Sequence, residues 1–202
     1  MFAELLAHAG VREVVTLRSG FGFMAFHGGS LEKGTDDIAA AAAEAAGGSL
    51  YAVVQPPDLR WHIPSAEIDP AASPALAGFL DHVDTVVAVH GYGRPGLFTT
   101  ILLGGGNRDL AREARRHLDP ALPDYTIVDD LAEVPPELRG LHPDNPVNRV
   151  RESGIQVELP PRVRGLGPHW ADTEARRNGE RQPPTRALIQ ALASTARTWG
   201  DR

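Results

Sequence analysis

Short apolar runs alternate with helical stretches through most of the chain. Residues 12–17 (REVVTL) and 21–26 (FGFMAF) read as strands, and a Gly-rich loop follows at 27–34. Thr35 is placed to cap a helix, with Asp36 and Asp37 in a first turn that favours negative charge. The alanine-rich stretch 38–46 continues that helix, and Gly47-Gly48 stops it. Residues 50–54 read as the next strand, closed by Pro56-Pro57, with a short strand at 61–63 inside a long loop. Ser73 caps a further helix, with Pro74 at its first position, that runs to about His82. The β-branched run 85–89 (TVVAV) is a buried strand. Residues 98–103 form another, ending in Gly104-Gly105-Gly106, after which Asn107 caps a charged helix over 110–118. Residues 125–128 are a strand, 135–146 irregular, and 155–159 a last strand that Pro160-Pro161 ends. An amphipathic helix over 185–199 carries Leu188, Ile189 and Leu192 on one side.

Alternating strands and helices, with several strands apolar throughout, predict an α/β fold. The expected form is a three-layer sandwich around a central mixed, mostly parallel sheet. The 202 residues suit one domain, with 165–184 as a polar surface excursion and 185–202 as a helix that docks back. A hydrophobic share of 42% excludes a wholly disordered chain. A net charge of −6, with no basic stripe interleaved with aromatics, argues against a nucleic-acid partner. No apolar run approaches the roughly 18 residues of a membrane helix. The start MFAELLAHAGVREVV lacks the basic region of a secretion signal, so no membrane partner and a cytoplasmic location are expected. The chain has no cysteine, which rules out disulfides and thiolate metal sites. Any metal must be held by His, Asp or Glu.

Candidate chemistry lies where apolar strands end. The 23–26 run leads into His27-Gly28-Gly29-Ser30-Leu31-Glu32, and 86–89 leads into His90-Gly91-Tyr92-Gly93. The 101–103 run leads into the triple glycine and Asn107-Arg108, and 155–157 leads into Glu158. Open α/β sheets bind ligands beyond the carboxyl ends of their strands. Parallel neighbours would therefore bring His27, Glu32, His90 and Glu158 to one edge. Two imidazoles and one carboxylate suit a hydrolytic Zn2+ site, and a further carboxylate, Glu158, suits the general base. Each residue also has an ordinary reading. A histidine at a strand end can simply be a hydrogen-bonded polar group, and Glu158 can pair with Arg162 or Arg164. His62 can support the site from behind or be a satisfied core histidine under Trp61.

At these residues the sequence resembles the poly-gamma-glutamate hydrolase family of phages and bacteria. The stretches that carry the resemblance are FHGGSLEKGTDDIA at 26–39, WHIPSAEID at 61–69, VHGYGRPG at 89–96, ILLGGGNRDLA at 101–111 and NPVNRVRESGIQVELPPRVR at 145–164. The resemblance implies a zinc-carboxypeptidase-like core, with His27, Glu32 and His90 binding zinc and Glu158 as the general base. The implied reaction is cleavage of gamma-glutamyl amide bonds, in the polymer or in shorter related amides, by metal-activated water. A different small N-acyl or peptide substrate, or a non-catalytic binding module on the same fold, are the competing readings. A small-molecule or polymeric polyanionic substrate calls for cations and amide donors. Asn148, Arg164, Arg108, Arg94 and Arg149 lie in or near the matched stretches, and an arginine fork can take both oxygens of a carboxylate.

Overall fold

In the computed structural model, which describes residues 1–167 and 178–202, the apolar runs become strands of one mixed sheet. In chain order these are β1 (Arg12–Thr16), β2 (Phe21–Gly29), β3 (Ser49–Gln55), β4 (Thr85–Gly91), β5 (Thr100–Gly104), β6 (Thr126–Val128) and β7 (Ile155–Leu159). Across the sheet they lie in the order β1-β3-β2-β4-β7-β5-β6. The four central strands β3, β2, β4 and β7 are mutually parallel. β5 is antiparallel to β7 but parallel to β6, and β1 is antiparallel to β3. The central strands are covered on both faces, which is why they read as continuous apolar runs rather than as alternations.

Five described helices supply that cover: α1 (Phe2–Leu6), α2 (Thr35–Ala46), α3 (Pro74–His82), α4 (Arg108–Ala121) and α5 (Pro183–Gly200). α2, α4 and α5 pack Ile38, Ala42, Leu110, Leu188 and Leu192 against Phe23, Val87, Val89 and Val157. On the opposite face, Phe2 and Leu5 of α1, Leu76 and Phe79 of α3, and Ile63 from a loop meet Met24, Tyr51 and Val86. Successive residues of β2 serve the two cores in turn, since strand side chains alternate between faces. The arrangement is the predicted helix–sheet–helix sandwich.

Local chemistry accounts for most boundaries. Ser73 Oγ accepts from the Leu76 amide and Asn107 Oδ1 from the Leu110 amide, each at 2.9 Å, as the sequence predicts. α2 is different. Gly34, at φ +87°, is its cap, and Thr35 turns its hydroxyl back to the Glu32 carbonyl at 2.8 Å. That hydroxyl therefore braces the loop before the helix instead of the helix amides. Residues 61–63 are not a strand. They are an extended loop held by the Gln55 amide, which donates to the Trp61 carbonyl and accepts from the Trp61 amide at 2.8 Å each. β5 begins at Thr100 rather than 98 because turns closed at Leu97 and Thr100 carry Phe98. The short helix α1 escapes a periodicity reading because it is only five residues long, with Phe2 and Leu5 buried.

The reversal at β5 has a larger effect. Its carboxyl end, with the triple glycine and Arg108, lies at the edge opposite the ends of β2, β4 and β7. Of the surface excursion expected at 165–184, residues 168–177 lie outside the described ones. Among the described residues no helix is long and apolar enough to cross a membrane.

Candidate metal centre and active site

The site begins with a bulge. β2 pairs with β3 as Ala25↔Ala52 and then Gly28↔Val54, so β2 spends one residue more than its partner at Phe26-His27. A bulge bends the strand and re-aims a side chain. Gly29 completes the turn at φ +73°, where a Cβ would fall 2.1 Å from the Gln55 carbonyl oxygen, so only glycine fits. The buried His27 ring then donates from Nε2 to the Ile63 carbonyl at 2.9 Å. A carbonyl can only accept, so Nε2 carries the proton and Nδ1 is turned to Glu32 Oε1 at 2.8 Å.

Glu32 is the hub. Its Oε2 accepts from the Gly91 amide at 2.8 Å and lies 3.6 Å from Nδ1 of His90. Burial pulls the Glu32 carboxyl upward, but hydrogen bonds and charge from His27 and His90 hold it far below the usual carboxylate range. His90 sits at the end of β4, buried beside Phe26. Among the described residues its Nε2 is buried without a hydrogen-bond partner, and its ring lies between Glu32, Phe26 and His27. Burial lowers its affinity for a proton, yet Glu32 and then Glu158 raise it above the ordinary histidine value.

His62 is exposed at the mouth, its ring centroid 4.7 Å from that of His27. The reading that buries it in the core under Trp61 is therefore excluded. Burial and then the charge of His27 push its pKa down. Donor atoms of His27, Glu32 and His62 lie within 4.8 Å of one another, close enough for one ion. Two nitrogen donors and a carboxylate, drawn together between a buried ring and the cavity mouth, fit a zinc-like divalent cation.

Glu158 stands beside this cluster. Its register partner across the parallel β4–β7 ladder is His90. Ile155, Val157 and Leu159 enter the helix-covered core, so Gln156 and Glu158 share the other face of β7. Gln156 Nε2 donates to Glu158 Oε1, and Asn145 Nδ2 donates to Gln156 Oε1, both at 2.9 Å. The partner of Glu158 is thus an amide chain, not Arg162 or Arg164. Burial raises the Glu158 pKa above the usual carboxylate range, although His90 opposes it. Gln156 and Asn145 are the residues that the sequence reading missed. The period-two pattern of IQVEL, with Gln and Glu on one face, was the signal for the first.

A cavity of about 530 Å³ opens over the cluster, lined by His27, Glu32, His62, His90, Gln156 and Glu158 and closed by Pro136, Leu141, His142 and Asn145. None of the five residues expected to hold a polyanion is among its lining residues. Arg94 pairs with Glu137, which does line the cavity. Arg108 donates to the carbonyls of Gly105, Leu103 and Asp129. Asn148 Nδ2 donates to the Gly140 and His142 carbonyls, bracing the loop that forms one wall. Arg149 is exposed. Arg164 is buried among backbone carbonyls.

Against this geometry the comparisons with known proteins can be set. A sequence model of the family described as Poly-gamma-glutamate hydrolase matches residues 3–181. No curated protein matches the chain. Among solved structures, a bacteriophage poly-gamma-glutamate hydrolase is similar at a TM-score of 0.74 and 22% identity, with 96% of this chain and 93% of that one covered. The zinc-free apo form of YndL is similar at 0.74 and 21%, covering 92% and 88%. A putative carboxypeptidase from Burkholderia mallei reaches 0.50 at 10% identity, covering 96% of this chain and 66% of that one. At such identities these structures speak for the fold, a sheet architecture shared with carboxypeptidase-like proteins.

Proposed function

The chain belongs to the poly-gamma-glutamate hydrolase family, and from that premise we propose that it is a zinc-dependent amidohydrolase that cleaves gamma-glutamyl amide bonds. The observation that carries the reading is the convergence of Nδ1 of both His27 and His90 on the two oxygens of Glu32, with Glu158 on the same rung as His90. His27, Glu32 and His90 would hold the ion, and His62 would flank it at the mouth. When bound, zinc supplies a Lewis acid for the scissile carbonyl and makes a nearby water acidic enough to attack near neutral pH.

The remaining roles belong to groups of the chain itself. The Ile63 carbonyl fixes the His27 tautomer, and the Gly91 amide holds Glu32. Gln156 occupies Oε1 of Glu158, which leaves Oε2 to take a proton from the attacking water. The new bond joins that water oxygen to the amide carbon. The C–N bond then breaks, and Glu158 returns the proton to the departing nitrogen. A carboxyl whose pKa burial has raised is suited to both transfers.

A second reading keeps the chemistry and changes the substrate to a shorter amide. The cavity has the size of a small-molecule site, and Arg94, Arg108 and Arg164 are engaged elsewhere. One experiment serves both readings. Metal content is measured on wild type and His27→Ala, and hydrolysis of poly-gamma-glutamate and of short gamma-glutamyl amides is followed with and without chelator. About one zinc per chain, lost in the variant, together with chelator-sensitive cleavage, is the expected result. Wild-type protein that takes up no metal when zinc is supplied would overturn the reading.

A further inference from the structure

We propose that Arg164 is a positioning residue: from one buried guanidinium it ties together the three chain segments that carry Glu32, His90 and Glu158. The proposal rests on the functional reading above. Arg164 lies in the turn after β7 and is 9% exposed. Its Nη1 donates to the carbonyl of Lys33 at 2.9 Å, one residue after Glu32. Its Nε donates to the carbonyl of Leu159 at 3.1 Å, one residue after Glu158. Its Nη2 donates to the carbonyl of Tyr92 at 3.3 Å, two residues after His90. Each of its three nitrogens thus faces a backbone acceptor on a different segment. The β2–α2 loop, the β4–β5 loop and the end of β7 are far apart in sequence, and Arg164 itself stands 131 residues from Lys33.

Arginine is the side chain that chemistry selects for this task. Its donors lie in one rigid plane and point in several directions, whereas a lysine is a single charge on a flexible stem. Space has been cleared for it. A Cβ at Gly91 would fall 2.6 Å from Cζ of Arg164 and 2.7 Å from its Nη1. Gly91 is therefore glycine for the guanidinium, and the same residue gives its amide to Glu32. With Nε, Nη1 and Nη2 each bonded to a backbone carbonyl, Arg164 is not among the residues lining the cavity. The residue acts on the reaction through the carboxylates and imidazole it locates, not through substrate.

The test uses the full chain as wild type, Arg164→Ala, Arg164→Lys and Gly91→Ala, with circular dichroism to confirm the fold. Zinc affinity is measured by chelator competition without substrate, and kcat and KM on a gamma-glutamyl amide. We expect zinc affinity to fall by about 10–100-fold in both Arg164 variants, the range for residues that orient metal ligands. kcat should fall while KM stays within about twofold. Methylguanidinium added to Arg164→Ala should recover part of both losses. Gly91→Ala should reproduce the phenotype with Arg164 still present, and Arg164→Lys, which keeps the charge and much of the bulk, decides the matter should Arg164→Ala fail to fold. A raised KM with zinc affinity and kcat unchanged would make Arg164 a substrate anchor and overturn the proposal. So would variants indistinguishable from an active wild type. Wild type that neither binds zinc nor cleaves the amide would instead defeat the functional reading itself.

Discussion

Glu158 faces His90 directly across the parallel β4–β7 ladder, so a buried carboxyl and a buried imidazole occupy one rung of the sheet. Neither group is stranded there by accident of packing. An unpaired charge in such a place is costly, and each has been given a partner: Glu32 for His90, Gln156 for Glu158. Adjacent parallel strands thus deliver the proposed acid–base group next to a proposed metal ligand without any loop having to bring them together.

Replacing Glu158 by Gln should separate binding from chemistry. The variant keeps the shape and hydrogen-bonding capacity but cannot accept a proton. Zinc content should stay at the wild-type level while kcat drops by roughly 10²–10⁴-fold, the usual scale for a general base. Elemental analysis and steady-state kinetics on one preparation read both quantities, and an unchanged kcat would remove Glu158 from the mechanism.

Gln156→Glu should move the pH profile. The substitution removes the donor to Glu158 Oε1 and puts a second carboxyl beside it. Like charges oppose ionisation, so the Glu158 pKa, already raised by burial, should rise further. The general base must be ionised to act. The acidic limb of kcat/KM should therefore shift to higher pH relative to wild type, and a limb that stays in place would mean that Glu158 does not govern it.

His62 and His90 compete for the third ligand position in different senses. His62 donors cluster with those of His27 and Glu32, whereas His90 is buried with Nδ1 turned to Glu32. Under the proposed assignment, His62→Ala retains about one zinc per chain and His90→Ala does not. The reverse pattern in metal analysis would place the ion at the cavity mouth.

Alkaline stability offers a test far from the site. The Tyr51 hydroxyl donates to Glu13 Oε1 at 2.5 Å. Burial, then the Glu13 hydrogen bond and charge, raise this phenol well above the usual tyrosine value of 10.0. A folded-state pKa above the unfolded one stabilises fully below the unfolded value and loses its effect as pH rises past it. Melting temperature should therefore fall once the pH exceeds about 10. Tyr51→Phe should flatten that decline, and thermal melts from pH 8 to 11 check it.

On α5, Leu192→Ala should cost about 2–5 kcal/mol by opening a cavity in the helix-covered core, where Leu192 is fully buried. Denaturant titration measures it. A loss below about 0.5 kcal/mol would mean that α5 is not docked on the sheet as described.

Legibility in the sequence followed the range of the forces involved. Strand and helix positions are set by local patterns, so the caps at Ser73 and Asn107 and the buried face of α5 were readable from composition and spacing. Histidines and carboxylates at strand ends were readable because their chemistry contrasts with the apolar runs before them. Strand direction was not. Nothing local in 101–103 reveals that β5 runs against β7, and this is what sends Arg108 to the far edge. The arginines were also ambiguous for a physical reason. A guanidinium that binds a carboxylate and one that binds carbonyls are the same residue in sequence, and only burial and partners separate them, as Arg164 shows. The amide chain from Asn145 through Gln156 joins residues 11 positions apart and becomes visible only when β7 is placed.

The bulge at Phe26-His27 makes this centre a matter of counting as well as of composition. Substitutions in β2 change what a side chain is, but loss of one residue there changes how the strand is counted against β3. Removing Phe26 would let the two strands run in step, with the imidazole of His27 in the place of the Phe26 ring and without the bend that aims it. Two chains with identical residue types around this site could then differ wholly in competence, divided by a single codon lost in frame.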